Sequence, residues 1–118
     1  MTAAVATATK ESDALAFWAD FARAHGGVSW HIRDARRQNV VGLPDVLAVL
    51  PRRRGGPALI VAIELKIGND RLKPAQFDAL RRFAEAGAVA LVVRYGTLRP
   101  GEVTQDTAAR LIEEALAA

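Results

Sequence analysis

Two short runs rich in apolar and β-branched residues, Val46 to Leu50 and Leu59 to Leu65, flank the breaker-rich segment Pro51-Arg52-Arg53-Arg54-Gly55-Gly56-Pro57. This pattern predicts an antiparallel hairpin. Upstream, Leu15, Trp18, Ala22 and His25 recur at helical spacing over residues 10–25, and Gly26-Gly27 supplies the stop. Trp18, Phe17 and Phe21 are expected in the core. A short strand follows over Val28 to Ile32, then a polar stretch, Arg33 to Asn39. Downstream, Gln76, Leu80, Phe83 and Gly87 recur at intervals of four, three and four, predicting a helix from Pro74 to about Ala86 with Gln76 on its inward stripe. Ala88 to Arg94 reads as an apolar strand parallel to its neighbour after a crossover, and Leu98 to Val103 reads as a loop. Thr104 to Ala117 is amphipathic with Thr104 as its cap, a helix that either completes the core or forms a dimer seam. The order is helix, three strands, helix, strand, helix. The expected fold is α/β, with a mixed central sheet flanked by helices.

The hairpin brings chemistry together. The start of its first strand lies beside the end of its second, so Asp45 approaches Glu64 and Lys66. With a side-chain period of two, Glu64 and Lys66 share one face of their strand while Ile63, Leu65 and Ile67 occupy the other. Charges that follow Leu59-Ile60-Val61-Ala62-Ile63 are expected to be half buried, which is costly without compensation. A divalent cation compensates both acids, and hard cations such as Mg²⁺ take oxygen ligands, often one or two protein carboxylates. Lys66 is placed to orient or deprotonate a water, or to stabilise charge growing on a phosphate. A Glu-X-Lys triplet on a strand is by itself more often a salt bridge. Its conjunction with Pro44-Asp45 and Gln76 is what points to phosphodiester hydrolysis.

Composition narrows the classes. With 118 residues, 51% of them hydrophobic, the chain has the size of one domain, expected over residues 10–118 after a flexible Ala/Thr-rich segment, 1–9. Sixteen Lys and Arg against thirteen Asp and Glu give a formal charge of +3, in agreement with a polyanionic partner. There is no cysteine, which excludes disulfides and thiolate metal sites, and two histidines are too few for a zinc cluster. Neither a signal-peptide pattern nor a membrane-spanning run is present, so an intracellular (cytoplasmic) location and no membrane partner are expected. No Gly-rich phosphate loop or nucleophile elbow appears.

Through Gly42-Leu43-Pro44-Asp45, Ile63-Glu64-Leu65-Lys66 and Leu72-Lys73-Pro74-Ala75-Gln76, and over roughly residues 11 to 95, the chain resembles the VRR-Nuc family of the PD-(D/E)XK nuclease superfamily. The resemblance implies the restriction-endonuclease-like αβββαβ core with one C-terminal helix appended. It implies a Mg²⁺- or Mn²⁺-dependent endonuclease with Asp45 and Glu64 as metal ligands, Lys66 as catalytic lysine and Gln76 beside the site. A further acid from the first helix is implied too, and its spacing from the closing glycine favours Glu11 over Asp13. Acids in a first helical turn are equally explained by the helix dipole.

Short free-standing members are similar to Holliday-junction resolvases, which implies a homodimer acting on branched or otherwise structured DNA. Arg33, Arg36, Arg37, Arg71 and Lys73 are candidate phosphate contacts. Two alternatives stand beside this reading. One is a non-catalytic nucleic-acid-binding module of the same fold, and the other a nuclease toxin or restriction component.

Overall fold

The computed structural model describes residues 11–32 and 42–118. The expected N-terminal segment and the Arg33, Arg36 and Arg37 stretch lie outside the described residues. The elements run α1 (Glu11–Ala24), β1 (Val28–His31), β2 (Val46–Leu50), β3 (Leu59–Ile67), α2 (Pro74–Glu85), β4 (Val89–Tyr95) and α3 (Gln105–Ala117). The sheet order is β1-β2-β3-β4, antiparallel across the first two pairings and parallel between β3 and β4. The α/β fold with a mixed sheet is therefore as the pattern implied, with helix and strand ends differing by a residue or so.

Helix ends follow local chemistry. Glu11 and Asp13 occupy the first turn of α1. Beyond its last turn, Gly26 adopts φ 77° and the Gly27 N–H donates to the Ala22 carbonyl at 2.9 Å. Pro74 opens α2, where its missing N–H costs nothing. Thr104 Oγ1 accepts from the Thr107 N–H at 3.2 Å and caps α3.

Three layers result. On one face of the sheet, Ala14, Trp18 and Ala22 of α1 and Ala108, Ile112 and Leu116 of α3 enclose alternate residues of the strands, including Val46, Ile63, Leu65 and Val93. Thus α3 completes the core. On the other face α2 sets Leu80 against Ala62 and Val92. Because both faces of β3 are covered, Val61 to Lys66 are buried without interruption. A buried chain of hydrogen bonds ties the first face together: Trp18 Nε1 donates to the Tyr95 hydroxyl at 3.2 Å, which donates to Gln105 Oε1 at 2.7 Å. Burial pushes the Tyr95 phenol up to about 12.

The segment read as a loop over Leu98 to Val103 contains a pairing the pattern did not show. The Val103 N–H donates to the Val92 carbonyl, and its carbonyl accepts from the Arg94 N–H, both at 3.0 Å. This single parallel bridge to Val93 covers part of the free edge of β4. Arg94 makes the attachment firm. Its side chain is fully buried, forms a bidentate pair with Glu102 at 2.5 and 2.8 Å, and donates to the Gly68 carbonyl at 2.8 Å. The pairing holds the Glu102 carboxyl below its ordinary range. Arg94 thereby joins the 98–103 segment to the turn that leaves β3.

Removing one member of that pair isolates the other in the interior. Glu102→Ala should therefore lower the unfolding free energy by about 3–5 kcal/mol, whereas replacing both residues with leucine should recover most of the loss. Urea unfolding of the single and double variants decides this. A single-variant loss below about 0.5 kcal/mol, as at an ordinary surface position, would show that water reaches the guanidinium after all.

Candidate active site

The site grows from a strand that must carry charge into the interior. Glu64 and Lys66 lie on the α2 face of β3, in line with Ala62, and are 2% and 6% exposed. Lys66 Nζ lies 3.3 Å from Glu64 Oε2. The pairing of Val46 with Ile63, carried one residue back, sets Asp45 opposite Glu64, just before the start of β2. There the Asp45 side chain takes over from the ladder, and its Oδ2 accepts the Leu65 N–H at 2.7 Å. Asp45 follows the fully buried Pro44.

The approach to Asp45 is fixed by a glycine. Gly42 has φ 83°, and a Cβ there would fall 2.5 Å from the carbonyl carbon and oxygen of Ala75 and 2.8 Å from the Gln76 nitrogen. Only glycine lets the chain lie this close to the first turn of α2. That contact sets the strand bearing Asp45 against the helix bearing Gln76. Gln76 Oε1 accepts from Lys66 Nζ at 2.9 Å and from the Lys73 N–H, also at 2.9 Å. One amide oxygen thus closes the start of the helix and holds the lysine in place.

Electrostatically the centre is unbalanced. Burial, followed by the nearby Asp45 charge, pushes the Glu64 carboxyl up to about 8 from an ordinary 4.5, although Lys66 opposes the shift. Glu64 Oε1 is buried and has no hydrogen-bond partner among the described residues. An orphaned carboxylate oxygen beside a second carboxylate is the donor set a hard divalent cation requires. The residues present therefore fit such an ion, with Asp45 and Glu64 as its holders.

The structure brings Asp45, Glu64, Lys66 and Gln76 together, and it pairs Glu11 with His31. The Glu11 carboxylate is half exposed and lies 3.6 Å from His31 Nε2 on β1. Among the described residues no group of three or more His, Asp or Glu side chains is arranged to hold a metal. Arg71 and Lys73 are exposed in the turn leading into α2. The close approach of Gly42 and the two-donor role of Gln76 were not read from the sequence. The Gly42-Leu43-Pro44-Asp45 motif was the available signal for the first, and the spacing of Lys73 and Gln76 for the second.

The four-stranded mixed sheet with this carboxylate and lysine arrangement defines a restriction-endonuclease-like α/β domain. More narrowly, the chain belongs to the VRR-NUC domain family, whose model matches residues 7–95. A solved structure described as a VRR_NUC domain is similar at 28% sequence identity and a TM-score of 0.60, over 90% of this chain and 97% of that one. No curated protein matches the chain. No helix among the described residues is long and apolar enough to cross a membrane.

The raised Glu64 carboxyl sets a pH dependence. Its folded-state value of about 8 lies above the ordinary 4.5, so folding takes up a proton. The associated stability is complete at acid pH and is lost as pH climbs through about 8. In EDTA, wild-type thermal stability should fall between these limits by more than that of Glu64→Gln, and Mg²⁺ should restore part of it at the alkaline end. Parallel melting-temperature curves for the two proteins would contradict the buried, electrostatically strained carboxyl.

Proposed function

We propose that this domain is a Mg²⁺- or Mn²⁺-dependent endonuclease that hydrolyses phosphodiester bonds in DNA. Membership of a nuclease-type family supports a nuclease role, and the observation that carries the finer reading is the orphaned Oε1 of Glu64, a carboxylate that has Asp45 nearby and its other oxygen on Lys66. A protein without chemistry would gain stability by replacing this cluster with packed apolar side chains. When bound at Asp45 and Glu64, a divalent ion supplies charge neutralisation and Lewis-acid polarisation of the phosphodiester.

The remaining work falls to the chain. Lys66, held by Gln76, presents an ammonium to the phosphate oxygens and meets the negative charge that grows as water adds to phosphorus and the ester P–O bond breaks. Gln76 acts through Lys66, fixing its direction. Arg71 and Lys73 stand at the start of α2, where they would pair with phosphates flanking the cut. Glu11, in its pairing with His31, is a candidate third ligand that a bound ion would have to draw inward.

Structured DNA cut by a symmetric pair of subunits is the substrate and assembly we propose, on the strength of the family. An exposed apolar face agrees with pairing: Val28 and Trp30 on β1 and Ile60 on β3 lie beyond the part of the sheet that α2 covers.

Purified protein incubated with labelled junction, flap, duplex and single-stranded DNA, with and without Mg²⁺ or Mn²⁺, tests activity and substrate together. Asp45→Asn and Lys66→Ala should each lower metal-dependent cleavage by about a hundredfold or more while melting cooperatively. Gln76→Ala, which frees the lysine without removing it, should cost about tenfold to a hundredfold. Full activity in Asp45→Asn would remove the assignment, and metal-independent DNA binding with no cleavage of any substrate would favour the non-catalytic module.

A further inference from the structure

A groove of about 510 Å³ opens between α2, β4 and the 99–102 segment, on the side of α2 away from Lys66. Its floor is apolar, made by Leu80, Ala84, Ala90 and Val92, and its rim carries Phe77, Arg71 and Arg99. Phe77 is 59% exposed although it stands in the first turn of α2, directly after the site residue Gln76. Successive helical residues point about 100° apart, so while Gln76 reaches Lys66 its neighbour faces the groove.

The charge of this groove is positive. Arg99 is held by the turn after β3, donating to the carbonyls of Asn69 and Asp70 at 3.2 Å each, and makes no ion pair with a described carboxylate. Arg71 has no acidic partner among the described residues. Glu102, the single acid of the lining, spends both oxygens on Arg94 and accepts the Arg99 N–H as well. Arg81, also on the rim, is neutralised by Asp78 and Glu85.

An exposed aromatic ring over an apolar floor, edged by cations that lack acidic partners, has the chemistry of a platform for unpaired bases. Paired bases in a duplex do not offer their faces, so blunt double-stranded DNA cannot use it. We propose that this groove binds an unpaired nucleotide of the DNA, its base stacked on Phe77 and its phosphates on Arg71 and Arg99. This deepens the nuclease reading and rests on it. The strand would pass from the groove over the start of α2 into the cluster of Asp45, Glu64 and Lys66. The volume, within the roughly 300–1,000 Å³ of small-molecule sites, suits one or two nucleotides.

The test uses the full chain in EDTA, so that binding is read without cleavage. Fluorescence anisotropy with single-stranded and blunt duplex oligonucleotides of equal length compares wild type with Phe77→Ala, Phe77→Trp and Arg71→Ala. Phe77→Ala should weaken single-strand binding by about tenfold or more and leave blunt-duplex binding within about twofold, and Phe77→Trp should restore it. In the same experiment 2-aminopurine within the single strand should be quenched by wild type and by Phe77→Trp but not by Phe77→Ala. Since Phe77 is exposed, an unchanged melting temperature shows that the variant is folded.

Equal losses on single strand and duplex, or none on either, would overturn the proposal. So would loss of a dimer in Phe77→Ala by sedimentation, which would assign the groove to a second copy. Base-dependent binding without cleavage on addition of Mg²⁺ or Mn²⁺ would support the groove while refuting the nuclease reading. Cleavage that is indifferent to Phe77 on every substrate would do the reverse.

Discussion

Two charged side chains enter the most deeply buried strand, and the surroundings are arranged to tolerate them. Glu64 and Lys66 occupy β3 positions whose neighbours, Ala62 and Val92, pack under α2 as ordinary core. Their mutual attraction alone does not compensate for lost hydration, because one carboxylate oxygen stays without a partner and Asp45 adds like charge. The protein satisfies what it can. The Leu65 N–H engages Asp45, Gln76 engages Lys66, and the close passage of Gly42 brings these donors and acceptors within reach. The imbalance that remains is an acidic one, to which the proposed divalent cation would be the complement.

The unequal coverage of the sheet follows from the same requirement. On the face of α1 and α3 the packing is continuous, tied by Trp18, Tyr95 and Gln105. On the other face α2 sits over β3 and β4 and leaves Val28 and Trp30 of β1 half in solvent. A helix drawn over the whole sheet would close the approach to Asp45. Rigidity is supplied from behind instead. The Arg52 guanidinium and the Arg53 N–H from the hairpin loop reach the Ala115 and Leu116 carbonyls at the end of α3, at 3.4 and 3.0 Å. Two arginines of the breaker-rich hairpin segment thus help satisfy a helix C-terminus.

Much of this was legible because local and global signals agree. The period-two run of β3, the breaker-rich hairpin loop and Pro74 each specify their element through short-range physics, and the hairpin by itself forces Asp45 toward Glu64. What could not be read depends on contacts distant in sequence. Arg94 looks like the polar end of an apolar strand, yet it is buried because Glu102 returns from the next loop to meet it. The bridge at Val103 is a single residue, too short for any periodicity. His25, which the sequence shows only as the last position of a helical repeat, places its imidazole 3.2 Å from Glu113 of α3. For Glu11, which the resemblance favours over Asp13, His31 is the partner that β1 brings within range.

Where the positive charge lies matters more than its total. Several arginines that the sequence offers equally are neutralised nearby: Arg81 and Arg82 by Asp78, Arg81 again by Glu85, Arg110 by Glu114, and Arg23 by Asp20. Such exposed pairs add little stability. Their effect is subtractive, removing the flank of α2 as an attractive surface for a polyanion. Arg71, Lys73 and Arg99 have no such acids among the described residues and cluster around the turn between β3 and α2. These three cations share the β3–α2 turn with Asp70 and lie beside the carboxylate and lysine cluster. Gln76, bound to Lys66, and the exposed Phe77 are consecutive in the first turn of α2, so a strand of the proposed substrate steered to that turn would meet both.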